Sequence, residues 1–183
     1  MSSATPRELT NPWRAFLLDV DDQLPGAIEI HCLGGFVASF YYDLPRPTND
    51  LDYVDVVPHD AMGILQNIGG VGSSLATKHR VHLQHVGVAS LPESYAERLR
   101  EIVPGRFRHM RLWALDPHDL ALSKLARNSP IDRADVAQLA TAVPLDPDLL
   151  RLRYQRELRP IIIGNPEWHD RTLQMWIEAY FRS

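Results

Sequence analysis

The sequence predicts an α/β fold: a small mixed sheet with helices packed on it, followed by a helical C-terminal half. Three observations carry this. Short apolar runs with strand character stand at 27–33, 51–57, 80–89 and 110–114. Segments with apolar residues at helical spacing alternate with them. From Asp116 onward only helical patterns remain, punctuated by Pro130, Pro144 and Pro160. We therefore expect a core over residues 1–115 and a helical part over 116–183 that completes its cleft.

Each element has a local reason. Residues 1–10 read as a loose leader. Asn11-Pro12 is a helix start, with Asn as cap and Pro at the first helical position. Trp13, Phe16, Leu17, Val20 and Leu24 follow at helical spacing, and Pro25-Gly26 breaks that helix. The strand at 27–33 runs into Gly34-Gly35, and 36–42 can form a short helix. Residues 44–47 cannot, because each proline biases its predecessor toward extended geometry. The Val- and Tyr-rich strand at 51–57 ends at Pro58, and 59–68 packs as a helix through Met62, Leu65 and Ile68. Gly69, Gly70 and Gly72 suggest a flexible loop before the strand at 80–89. A helix is expected at 92–102 and a strand at 110–114. Helices are expected at 117–127, 132–142, 147–158 and 170–181, the last amphipathic through Leu173, Trp176, Ile177 and Tyr180.

Composition narrows the function. A chain of 183 residues, 45% hydrophobic and 23% charged, can bury a real core. A net charge of −4 argues against strong non-specific binding to nucleic acid, which runs on neutralising phosphates. The single cysteine, Cys32, excludes an internal disulfide and a multi-cysteine zinc site, and its apolar surroundings predict a small buried hydrophobe. The opening MSSATPRELTNPW does not read as a secretion signal. No apolar segment is long enough to span a bilayer. A cytoplasmic protein without membrane association is expected.

The stretch "CLGGFVASFYYDLPRPTNDLDYVDVVP", 32–58, carries the chemistry. Asp50 follows Gly35 by fifteen residues, and Asp52 comes two later. Strand side chains alternate between faces, so the two carboxylates share one, roughly 7 Å apart at the backbone. Such a pair suits a hard divalent cation, and magnesium commonly keeps substrate phosphates in its shell. Gly34 and Gly35, between a strand and a helix, offer backbone N–H groups to which a phosphate can come close. Asp55 has the opposite parity on an ideal strand and is expected to stay outside the site.

"LGGFV" followed by "RPTNDLD" resembles the first motif of minimal nucleotidyltransferases with a polymerase-β-like fold. More narrowly, it resembles the AbiEii-like nucleotidyltransferase toxins and their DUF6036 relatives. Arg46, Thr48, Asp50 and Asp52 meet the family's Arg-x-Thr-x-Asp-x-Asp run. A second stretch, "LDPHDLALSKLARNSPIDRADVAQL", is similar to a later motif through Asp119, Lys124, Arg127, Asp132, Arg133 and Asp135. The resemblance implies a polymerase-β-like nucleotidyltransferase core with a helical C-terminal half. It implies a magnesium-dependent nucleotidyltransferase that is the toxin half of a toxin–antitoxin or phage-defence pair. Asp50 and Asp52 would hold Mg2+ on a nucleoside triphosphate, Gly34, Gly35, Arg46 and Thr48 would bind the nucleotide, and Lys124 would neutralise its phosphate tail. The partners implied are a nucleoside triphosphate, an acceptor for which tRNA is the first guess, and a cognate antitoxin.

One departure matters. The wider fold places a third carboxylate on the next core strand, and "KHRVHLQHVGVAS" contains no acid. Asp135 is the candidate to serve from the helical half. The alternative is a catalytically silent nucleotide- or partner-binding module on the same fold. A transferase acting on a small-molecule or protein hydroxyl is a third reading, because the fold does not fix the acceptor.

Other residues invite function. His79, His82 and His85 cannot share a metal on a strand, where His79 and His85 lie about 20 Å apart. Arg151, Arg153, Arg156 and Arg159 could meet RNA phosphates, with Tyr154 to stack, although a solvated helix face is the simpler reading. Trp168, Trp176 and Tyr180 are expected in the core or a dimer contact.

Overall fold

The computed structural model describes residues 8–181. The first seven residues of the expected leader lie outside them. The described chain divides into two compact units. The first comprises the chain up to Tyr41, Pro45–Gly87 and Arg100–Ala114. The second comprises Tyr42–Leu44, Val88–Leu99 and the chain from Leu115 on.

The first unit is a five-stranded mixed sheet with helices on it. Its strands are β1 (Ile28–Leu33), β2 (Asp50–Val57), β3 (His82–His85), β4 (Arg100–Ile102) and β5 (Met110–Ala114), in the order β3-β2-β1-β5-β4. β1 runs antiparallel to β2 and parallel to β5, β2 runs parallel to β3, and β4 runs antiparallel to β5. The register gives the sheet two unlike faces. Ile28, Ile30, Cys32, Leu51, Tyr53, Val56, Leu83, Ile102, Met110, Leu112 and Ala114 are all buried and share one face. Helices α1 (Trp13–Gln23), α3 (Ala61–Gly69) and α4 (Ser74–His79) pack together, and α3 and α4 pack against β3. The opposite face carries Glu29, His31, Leu33, Asp50, Asp52, His82, Gln84, Glu101, Arg111 and Trp113, mostly polar. A sheet with one apolar and one polar face needs only one layer of helices to bury its core.

A buried carboxylate ties α1 to the sheet. Asp21 accepts the backbone N–H groups of Arg108, His109 and Met110 at 2.8, 2.9 and 2.8 Å. Three bonds to one side chain satisfy the entrance to β5 and offset the cost of burying the charge. Cys32 is fully buried, as expected, and burial pushes its thiol pKa up, so it behaves as a small apolar side chain.

Several element assignments change. α1 starts at Trp13 with Pro12, not Asn11, at the cap position and no side-chain cap bond. The segment after the Gly-Gly pair is α2 (Gly34–Phe36) continued by a π-helical turn, Val37–Tyr41. Where only a glycine loop was expected before the third strand, Gly69 closes α3 and α4 intervenes, and the strand expected at 80–89 forms as the shorter β3. Ser73 caps α4 by accepting from Ala76 N–H at 3.1 Å, and Arg80 in the left-handed region ends it. The expected helix at 92–102 is a 3-10 turn, Tyr95–Arg98, followed by β4. Pairing of Ile102 with Leu112 on β5 overrides the weak helical spacing there.

The second unit holds α5 (Pro117–Leu122), α6 (Pro130–Ala142), α7 (Pro147–Arg153) running into a π-helical turn Tyr154–Leu158, and α8 (Pro166–Tyr180). Asp116, Ser129, Asp146 and Asn165 cap these four helices, each with proline in the first turn. Of the expected aromatic stripe, Trp176 is buried, whereas Trp168 is 61% exposed. Among the described residues, no helix is long and apolar enough to cross a membrane.

Candidate active site

The glycine pair meets the acidic strand at the end of β1. Gly34 has φ +70°, a left-handed conformation that a side chain adopts only at a cost. A Cβ placed on it would run into Asp52 Oδ2, with Asp52 Cβ and Cγ at 3.1 Å. The register agrees, because Asp52 stands opposite Leu33, the residue before Gly34. Gly34 therefore makes room for the carboxylate of Asp52.

Gly35 does the same for the rest of the motif. A Cβ there would lie 3.2 Å from Thr48 Oγ1, 3.4 Å from Thr48 Cβ and 3.6 Å from Arg46 Cζ. Thr48 in turn reaches the first acid: its hydroxyl lies 2.5 Å from Asp50 Oδ1 and 3.1 Å from Asp50 O. Gly34, Gly35, Arg46, Thr48, Asp50 and Asp52 thus gather at one place in the first unit. Asp50 and Asp52 share the polar face of β2 and both are partly exposed.

Two further features of this face come from the register. A bulge at Val54 lets His31 pair with Asp55 while Cys32 pairs with Tyr53. The bulge reverses the parity of the strand, so Asp55 stands on the same face as Asp50 and Asp52, contrary to the expectation from simple alternation. Its carboxylate is engaged by its own neighbour Val56 N–H at 2.8 Å and by His59 Nδ1 at 2.9 Å. Burial pushes the His31 imidazole below its ordinary pKa, with Asp55 and Glu29 pulling the other way. On the opposite side of β2, His82 and Gln84 stand in register with Asp50 and Asp52, and β3 contains no acid.

Lys124 and Asp135 are brought together in the second unit. Lys124 is 6% exposed, and its Nζ lies 2.7 Å from Asp135 Oδ2 and 3.8 Å from Asp132 Oδ1. The rest of that stretch is equally bound within the unit. Asp132 accepts a two-pronged bond from Arg127 at 2.7 and 2.6 Å and closes a capping box with Ser129, while Arg133 donates to Asn128 O at 2.7 Å. Asp119, fully buried, accepts from Arg98 and Arg153, and Arg98 also grips Glu157. Arg153 bonds Asp116 at 2.6 Å, Arg159 pairs with Asp170, and Arg151 pairs with Asp148. Tyr154 is buried with its hydroxyl on Asp170, so it offers no stacking surface.

His79 ends α4 and lies 2.7 Å from Asp19, which also accepts from Lys78. Among the described residues, no three or more His, Cys, Asp and Glu side chains form a group able to hold a metal ion alone. The donor set of Asp50 and Asp52 fits a cation of the magnesium kind, which takes one or two carboxylates and completes its shell with phosphate oxygens and water.

No curated protein and no solved structure matches the chain. A family model does, over residues 21–182, a span that takes in the glycine turn, the paired acids and the helices of the second unit. The chain belongs to the family described as "Nucleotidyltransferase of unknown function (DUF6036)".

Proposed function

We propose that this nucleotidyltransferase-family chain is magnesium-dependent, transfers a nucleotide from a nucleoside triphosphate to an acceptor, with tRNA first, and is the AbiEii-like toxin of a toxin–antitoxin or phage-defence pair. The observation that carries the chemistry is the pair Asp50 and Asp52 on the polar face of β2, set against the left-handed Gly34. The toxin role and tRNA rest on the resemblance of the glycine turn and the Arg46-to-Asp52 run.

Asp50 and Asp52 would hold the cation through their carboxylate oxygens. When bound, magnesium supplies positive charge beside the triphosphate oxygens. Arg46, packed over Gly35, offers a planar guanidinium suited to phosphate. The acceptor oxygen bonds the α-phosphorus as the bond to pyrophosphate breaks, and its proton leaves to solvent. Holding the reactants in line and meeting their charge provide most of the acceleration.

The test is incubation of the purified chain with each labelled nucleoside triphosphate, Mg2+ and total RNA. Label should appear in tRNA, and Asp50→Asn and Asp52→Asn should each abolish it while melting like wild type. Transfer within a few-fold of wild type in both variants would remove the carboxylates from the site.

A second reading has its own observation: His82 and Gln84, not acids, flank Asp50 and Asp52 on β3. On that reading the chain binds a nucleotide or a protein partner without turnover. Tight Mg2+-dependent triphosphate binding with no labelled product from any acceptor supports it.

A further inference from the structure

The two carboxylates of the motif are held differently. Asp52 is confined by the glycine turn, since the space a Cβ on Gly34 would need is taken by its Oδ2. Asp50, half-exposed at the start of β2, is held by the hydroxyl of Thr48 instead. The terminal torsion of an aspartate is broad and roughly two-fold, so a carboxylate at a half-exposed strand end turns readily. A cation site needs it fixed, with one oxygen kept for the metal.

We propose that Thr48 is a positioning residue that sets the Asp50 carboxylate for the cation. Its hydroxyl donates to Oδ1 at 2.5 Å, which fixes the plane of the carboxylate and leaves Oδ2 unengaged by Thr48. Thr48 is itself held from behind. The position a Cβ on Gly35 would take lies 3.2 Å from its Oγ1 and 3.4 Å from its Cβ, so the bare face of Gly35 is the seat in which the threonine rests. Gly35, Thr48 and Asp50 form a chain of contacts within the first unit, in which the second glycine acts on the first acid through Thr48. The arrangement divides the glycine pair between the two carboxylates, Gly34 for Asp52 and Gly35, by way of Thr48, for Asp50.

This inference rests on the reading of Asp50 and Asp52 as cation ligands, and one experiment separates the two. Mn2+ serves as the probe, titrated together with a non-cleavable nucleoside triphosphate, whose phosphate oxygens complete the ion's shell, and followed by the electron paramagnetic resonance signal of Mn2+. Asp50→Asn and Asp52→Asn report the site itself. Thr48→Val keeps the shape and removes the hydroxyl, Thr48→Ala removes it without the branch, and Thr48→Ser keeps it. Thermal melts in chelator control for folding, and Thr48→Ala carries the comparison if Thr48→Val folds poorly.

The expected result is loss of the site in both aspartate variants. Mn2+ affinity should fall about tenfold without the hydroxyl, as for a bond to a charged group, and Thr48→Ser should stay within about two-fold of wild type. Gly35→Ala should weaken Mn2+ in the same sense as Thr48→Val but less, because a methyl 3.2 Å from the threonine hydroxyl makes Thr48 give by a few tenths of an ångström. A merely structural threonine would shift the melts and leave the Mn2+ affinity of the folded variants unchanged. Loss in the aspartate variants with unchanged affinity in both Thr48→Val and Thr48→Ala would overturn the positioning role alone. Unchanged binding in the aspartate variants would overturn the cation site and the inference with it.

Discussion

Gly34 is where the chemistry of the site is most sensitive to a single atom. Its backbone is left-handed, and its missing Cβ is the space that Asp52 Oδ2 fills. Gly34→Ala meets both demands at once. The left-handed conformation alone costs a non-glycine residue about 1–2 kcal/mol, and the methyl must also push the carboxylate aside. We expect a modest drop in melting temperature and a much larger loss of Mg2+-dependent triphosphate binding. A melt beside a triphosphate titration checks this, and affinity equal to wild type would mean that the Asp52 carboxylate has room to spare. The Gly-Gly pair was legible in the sequence as a special backbone position beside two acids. That its bare faces accommodate the site's own side chains was not, because residues eleven to eighteen apart decide those contacts.

At the scale of elements, the turn from α5 to α6 is held by charge. Lys124 sits buried between Asp135 and Asp132, and Arg127 and Ser129 share Asp132. Lys124→Ala takes the ammonium from its 2.7 Å contact with Asp135, and breaking a buried pair on one side costs roughly 3–5 kcal/mol. Lys124→Ala is therefore expected to lower the unfolding free energy by about that amount. The double variant Lys124→Met with Asp135→Leu should recover most of it. Urea denaturation of the three proteins checks both statements, and a Lys124→Ala midpoint equal to wild type would show the pair to be energetically idle. The helices expected from 132 and from 170 begin at Pro130 and Pro166, because Ser129 and Asn165 cap them, a local signal that the apolar spacing alone passed over. The 3-10 turn at Tyr95–Arg98 had no such signal, since Arg98 is drawn to Asp119 and Glu157, 21 and 59 residues away.

Across the whole molecule, acid is expected to act through the second unit. Burial alone would raise the pKa of Asp132, but the bonds from Arg127 and Ser129 outweigh it and hold the group at about 2, below the usual carboxylate value. Burial would likewise raise Asp116, and His118 and Arg153 hold it lower still. A folded-state pKa below the unfolded one means stability that is complete above the unfolded value and is lost as pH falls through the folded value. Taking about 4 for an unfolded aspartate, the contribution of Asp132 is full above pH ~4 and fades between ~4 and ~2. Melting temperatures measured from pH 7 down to about 2.5 should fall most steeply in that window, and Asp132→Asn should flatten the curve. Parallel curves for wild type and variant would assign the acid sensitivity elsewhere.

The sequence by itself determined what depends on near neighbours. Alternation placed Asp50 and Asp52 on one face of β2, and the Gly-Gly pair marked the end of β1. Each of these is settled by residues two to four apart, so the chain carries them openly. Only the tertiary structure decided what depends on register and distant charge. The Val54 bulge moved Asp55 onto the face of the acids, β4 formed because Ile102 found Leu112, and Asp21 closed on the entrance to β5 from 87 or more residues away. Pairing across a sheet and burial of an ion both compare one partner with every other in the folded chain, and no local pattern holds that comparison.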